Sequence, residues 1–159
     1  MMTSQEQLGE LLKSKKLTLA VAESCTGGLV GAAVTSIGGS SEYFRGGVIA
    51  YDNSIKHDVL GVPRYDLDRY GAVSDPVVCA MAYGAARVCN SDCSVSVSGI
   101  AGPGGGTEEK PVGLVFIGAF FRGKTQSCSF LFNGSRSSIR EQSVKAALDF
   151  LIGIINKDD

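Results

Sequence analysis

Three short stretches of this chain bring together residue types that can do chemistry. The first is Ala22-Glu23-Ser24-Cys25-Thr26-Gly27-Gly28, which follows an apolar run from Leu17 to Val21 and leads into Leu29-Val-Gly-Ala-Ala-Val34. That order reads as strand, tight turn, helix. A hydroxyl at such a turn can attack a carbonyl, and unpaired backbone N–H groups at the start of the helix can hold the oxyanion that forms. Ser24 is therefore the candidate nucleophile, with the backbone around Cys25, Thr26, Gly27 and Gly28 as candidate oxyanion and substrate donors. The plainer reading is that Ser24 or Thr26 only caps the helix. Cys25 is a rival nucleophile, because a helix N-terminus lowers a thiol pKa. A small buried residue behind the turn is its alternative role.

The second stretch is Tyr51-Asp-Asn-Ser-Ile-Lys56. A serine nucleophile needs a base, and His57 is the only histidine in the chain, so an Asp–His pair has little to be built from. A lysine serves instead when it is neutral. Burial disfavours its charge, and the first turn of a helix disfavours a cation. Lys56, just after a strand end on a short helix, meets both conditions if its side chain turns inward. As a solvated surface lysine it would meet neither. His57 adjoins Lys56 and so points to another side of the helix, which makes it a surface residue.

The third stretch is Gly99-Ile-Ala-Gly-Pro-Gly-Gly-Gly-Thr107, continuing through Glu108-Glu-Lys110-Pro111. No Gly-Lys-Ser/Thr follows, so it is not a nucleoside-triphosphate loop, and a strand rather than a helix comes next, so it is not a dinucleotide fingerprint. Glycine-dense loops can still turn several N–H groups on one anion, and Pro103 and Pro111 stiffen this one. Gly104, Gly105, Gly106 and Thr107 are thus candidate phosphate donors. Arg136, in Gly134-Ser135-Arg136 ahead of the last helix with Arg140 one turn on, and Arg45, in Arg45-Gly46-Gly47, are candidate partners for that phosphate. Both arginines have an ordinary alternative as solvated charges.

The elements that must position these residues follow from periodicity and caps. Ser4-x-x-Gln7 reads as a capping box opening a first helix with Leu8, Leu11 and Leu12 on its apolar face. A strand covers 17–23 and a second helix starts near Thr26. A second strand covers 46–51, and Asn53 caps a short helix from Ser54 to Leu60. Another helical turn lies between Tyr65 and Tyr70. Ser74-Asp75-Pro76 opens a helix to about Cys89. Strands follow at 94–100, 113–121 and 125–132, the last two joined as a hairpin at Arg122-Gly123-Lys124. Ser138-x-x-Glu141 is a second capping-box candidate, and Val144, Ala147, Leu148, Leu151, Ile152 and Ile155 make the stripe of a final helix. Early alternation of helices and strands with a late hairpin predicts an α/β fold: a three-layer α/β/α sandwich on a mixed, mainly parallel sheet, with residues 1–159 as one domain. Three of the chemistry-bearing stretches then fall at strand ends, where open α/β sheets hold ligands.

Composition narrows the function classes. With 44% hydrophobic and 19% charged residues the chain is not disordered, and a formal net charge of -1 gives no electrostatic case for nucleic acid or an anionic membrane. The five cysteines are odd in number and form no C-x-x-C pair, which reads as reduced thiols in the cytoplasm and leaves no metal site of His or Cys spacing. The polar opening is not a signal peptide, and the longest apolar stretch, 112–121, is too short to span a bilayer.

Read together, Glu23-Ser-Cys-Thr-Gly-Gly28, Tyr51-x-Asn53-x-x-Lys56, Gly71-Ala-Val-Ser74, and Gly99-Ile-Ala-Gly-Pro-Gly-Gly-Gly106 with Glu109-Lys-Pro-Val-Gly113 resemble the CinA C-terminal domain family. The resemblance runs in order through nearly the whole chain. It implies a three-layer α/β/α domain, more than one subunit, and hydrolysis of nicotinamide mononucleotide (NMN) to nicotinate mononucleotide and ammonia without cofactor or metal. Carried over by motif, Ser24 matches the nucleophile, Lys56 the base, and Tyr51 a tyrosine associated with the site. Asp52 stands where the family often has Ser, and Ser135 where it often has Asp. Asp52, if turned inward, would favour the charged amine and weaken the base. The alternatives to an enzyme are a non-catalytic nucleotide-binding or regulatory member and a structural subunit.

Overall fold

A computed structural model describes residues 1–158; Asp159 lies outside them. The elements, in chain order, are α1 (Ser4–Lys15), β1 (Leu19–Glu23), α2 (Leu29–Thr35), β2 (Phe44–Ile49), α3 (Asn53–Asp58), α4 (Arg64–Tyr70), α5 (Asp75–Cys89), β3 (Cys93–Gly99), β4 (Leu114–Phe121), β5 (Lys124–Leu131) and α6 (Arg136–Lys157). The strands form one sheet in the order β2-β1-β3-β4-β5. β1 pairs in parallel with β2 and β3, and the β3/β4 and β4/β5 pairs are antiparallel. The sheet is thus mixed with a parallel core, as expected, and β1 is buried along its full length because both of its faces are covered.

The two faces are packed differently. On one, Leu8 and Leu12 of α1, Val30 and Val34 of α2, and Leu148, Leu151 and Ile155 of α6 close over Val21, Val95 and Ile117. On the other, Val77, Val78, Met81 and Ala85 of α5 meet the small residues Ala20 and Ala22 together with Leu60. The small side chains let α5 lie almost against the sheet. Ser94 Oγ donates to Ala82 O, and Ser96 Oγ donates to Val78 O at 2.6 Å. Buried hydroxyls on a core strand are thereby satisfied by helix carbonyls.

Close packing of α5 also fixes α3. A Cβ added at Gly84 would stand 2.0 Å from Leu60 O, two residues beyond α3. The oxygen is backbone and the Cβ is fixed directly to backbone, so neither yields. Gly84→Ala is expected to lower stability by about 2 kcal/mol or more, since the clash exceeds the roughly 1 kcal/mol that alanine gains in helix propensity. A thermal melt checks this, and an unchanged midpoint would show that α5 is free to shift.

Four helix starts differ from the sequence reading, three by the choice among neighbouring capping residues and one by two glycines. Thr3, not Ser4, caps α1, in a reciprocal box with Glu6. Asp52, not Asn53, caps α3, its carboxylate accepting from Ser54 N at 2.9 Å. Ser135, not Ser138, caps α6 and accepts from Ser138 N at 3.2 Å. α2 begins at Leu29 rather than near Thr26, because Gly27 and Gly28 take left-handed conformations (φ +57° and +110°) that delay the helix. β2 likewise ends at Ile49, so Tyr51 lies beyond the strand. Among the described residues no helix is long and apolar enough to cross a membrane.

Candidate active site

Ser24 directly follows β1, and its amide donates to Val97 O of β3 at 2.9 Å, which anchors the turn to the middle of the sheet. Lys56 reaches it from α3: its Nζ lies 3.1 Å from Ser24 Oγ and donates to Tyr51 O at 3.0 Å. Lys56 is 1% exposed and Ser24 8%. Burial holds the Lys56 amine below its ordinary 10.5, against the opposing pull of Asp52 and Cys25. Asp52 does not turn inward. Its carboxyl is exposed and sits below its usual range because the Ser54 hydroxyl and amide bond to it in the cap. In its neutral form an amine so placed can accept a proton from Ser24 Oγ, with Tyr51 O holding it in line.

The rival groups are placed elsewhere. Burial pushes the Cys25 thiol up to about 11, outweighing the backbone amides and Arg140 that pull it down, which disfavours the nucleophilic thiolate. The half-buried His57 pairs its Nδ1 with Val62 O at 2.8 Å, which ties it into the α3–α4 connection rather than leaving it as a surface residue. Tyr51 meets the pair through its backbone carbonyl, and its side chain is 63% exposed.

A buried carboxylate organises the nucleophile turn. Glu23 is 2% exposed, and its oxygens accept from Gly28 N at 3.2 Å, Val30 N at 2.8 Å and Gly31 N at 3.0 Å. An anion at a helix start satisfies orphan amides and the helix dipole together. Gly28 is accordingly not an oxyanion donor, because its amide is already bonded. Sequence reasoning took Glu23 as the strand's last residue only. The signal was an acid six residues ahead of a helix start, at the end of the strand that leads into it.

The glycine loop and the nucleophile turn are both tied to the first turns of α6. Arg136 Nη1 donates to Gly102 O at 2.7 Å, and Arg140 donates to Cys25 O and Thr26 O. Gly104, Gly105 and Gly106 are exposed. Thr107 differs from expectation: its amide donates to Lys110 O at 2.8 Å, inside a local turn, and is not offered to an anion. Lys110 in turn donates to Tyr70 O, the carbonyl end of α4. Arg45 is not at the site. It sits near the start of β2 and donates from Nε to Cys89 O at 3.1 Å, where the carbonyl end of α5 attracts a cation. Its register places it beside Leu19 and Ala20, roughly 15 Å from Ser24 at about 3.3 Å per residue.

Comparison with known proteins agrees with this fold. The model of the CinA C-terminal domain matches residues 1–155. The chain belongs to the CinA C-terminal domain family. A CinA-like protein of Rippkaea orientalis is 52% identical over 147 residues, covering 91% of this chain and 35% of that protein. One from Trichormus variabilis is 53% identical over 148 residues, with the same coverage of 91% and 35%. This CinA domain thus spans about a third of the length of those relatives. The crystal structure of competence/damage inducible protein CihA from Agrobacterium tumefaciens is 38% identical with a TM-score of 0.89, covering 98% of both chains. The competence-damaged protein (CinA) superfamily protein from Enterobacter cloacae is 30% identical with a TM-score of 0.92, covering 98% of this chain and 94% of that one.

Proposed function

We propose that this CinA domain hydrolyses the carboxamide of NMN to nicotinate mononucleotide and ammonia, using Ser24 and Lys56. The observation that carries the reading is the buried Lys56 amine 3.1 Å from the Ser24 hydroxyl at the end of a core strand. Lys56 removes the Ser24 proton as Oγ bonds to the carboxamide carbon. The oxyanion is held by backbone N–H groups of the turn, each worth about 3–4 kcal/mol in such sites. Lys56 then gives its proton to the departing nitrogen, the C–N bond breaks, and ammonia leaves. Water, deprotonated by Lys56, attacks the ester, releasing the nicotinate carboxylate and restoring the serine hydroxyl. The 5′-phosphate rests on the amides of Gly104 to Gly106, with Arg136 beside them. The reaction needs no cofactor, takes place in the cytoplasm, and is carried out by a homo-oligomer.

The test is incubation of the purified protein with NMN, followed by mass spectrometry for nicotinate mononucleotide, alongside Ser24→Ala. The wild type is expected to form product and the variant to lose about 10³-fold or more. A folded wild type that binds NMN without converting it would overturn the reading in favour of a nucleotide-binding role.

A further inference from the structure

We infer that Arg140 is a positioning residue that aims one oxyanion donor, the Thr26 amide, beside Ser24, an inference that rests on the Ser24–Lys56 reading above. It follows from accounting for the seven amides between Cys25 and Gly31. The Gly27 amide donates to Ser24 O at 3.1 Å and the Leu29 amide to Thr26 O at 3.0 Å. The amides of Gly28, Val30 and Gly31 are taken by the Glu23 carboxylate. Among the described residues, the Cys25 and Thr26 amides meet no backbone or side-chain acceptor oxygen. These two are the donors left for an oxyanion, and buried amides without partners are rare unless a ligand completes them.

Arg140 sets the direction of the second of them, the Thr26 amide. From the second turn of α6 its Nε donates to Cys25 O at 3.0 Å and its Nη2 donates to Thr26 O at 3.2 Å. In a trans peptide the C=O and N–H of one unit point in opposite directions. Drawing Cys25 O toward α6 therefore turns the Thr26 amide away from α6. The planar guanidinium grips two successive carbonyls with one fork, which a lysine cannot do. Gly27 makes room for it: a Cβ there would lie 3.3 Å from Arg140 Nη2, at a φ of +57°. Arg140 thus acts on the transition state through the backbone, while touching neither Ser24 nor the leaving group.

The experiment compares full-length wild type, Arg140→Lys and Arg140→Ala by two readouts. One is the rate at which a fluorophosphonate labels Ser24, read by mass spectrometry; the other is NMN turnover. Thermal melts confirm that each variant is folded. Both variants are expected to lose about 30-fold or more in labelling rate and in kcat, with KM for NMN changed by less than about threefold, as for removal of an oxyanion donor. Free guanidinium ion at millimolar concentration is expected to restore the Arg140→Ala labelling rate and to leave wild type unaffected. Labelling rates within about threefold of wild type, a loss confined to KM, or absence of guanidinium rescue would each overturn the inference. A wild type that is labelled at Ser24 yet leaves NMN intact removes the substrate only, and the labelling comparison still decides the role of Arg140. A wild type that is neither labelled nor active overturns both readings.

Discussion

Lys56→Met is expected to lose about 10³-fold or more in kcat/KM while folding as well as wild type, since general-base assistance alone is worth about 10²–10⁴-fold. Methionine fills nearly the volume of the buried lysine stem and carries no charge. What disappears is the amine 3.1 Å from Ser24 Oγ and its hydrogen bond to Tyr51 O. The pH dependence separates the base from a merely structural lysine. Burial lowers the folded-state pKa of Lys56 below its ordinary 10.5. Wild-type kcat/KM should therefore rise with pH on the acid side, as the amine loses its proton, and level off above that depressed value. Stability follows the same linkage. Below the folded pKa the protein must keep a charged amine buried, and the penalty is full. It fades as pH rises toward 10.5, where the unfolded chain also loses the proton. Lys56→Met should thus be more stable than wild type near neutrality, with the difference shrinking at alkaline pH. Retained turnover in the variant, or a wild-type profile flat with pH, would show that Lys56 is not the base.

Glu23→Gln is expected to cost about 2–4 kcal/mol, which for a chain of this size lowers the melting midpoint by roughly 5–15 °C, and to depress turnover as well. The carboxylate accepts three backbone amides, two through Oε1 and one through Oε2. A glutamine in the same place keeps one acceptor and turns an NH2 against another donor, so a buried amide loses its partner. Glu23→Ala strips all three and should be worse. Because the same amides set the start of α2, the turn that carries Ser24 loosens with them. A melt of either variant superimposing on wild type would show that water replaces the carboxylate without cost.

The parts of the site most legible in the sequence were those made by short-range order. An apolar strand running into Ser24 and two glycines has few ways to fold, and the structure places Ser24 at that strand end. The three-layer sandwich was equally plain, because alternation of helix and strand followed by a hairpin leaves few topologies. Lys56 was harder: nothing local says that its side chain turns inward, and its partner Ser24 lies 32 residues away in the chain. Glu23 and Arg140 were harder still. Each works by bonding backbone atoms several residues or most of the chain away, and backbone donors and acceptors leave no trace in residue type. Arg45 shows the converse. A charged residue beside two glycines reads like a ligand, but the strand register carries it to the other end of the sheet. The caps at Thr3, Asp52 and Ser135 were each displaced because two or more suitable side chains compete within a few residues, and only the incoming chain direction selects among them.

The turn after β1 is gripped from both sides of the sheet. Lys56 comes from the layer that holds α5, whereas Arg140 comes from the opposite layer with α1 and α2. The working geometry is therefore a property of the whole sandwich rather than of one loop. Neither layer can swing away as a lid without dismantling the arrangement it would uncover. The approach to Ser24 is left to the rim at the carboxyl ends of the parallel strands, and prying one layer loose would separate Ser24 from Lys56 or from Arg140's grip on its turn.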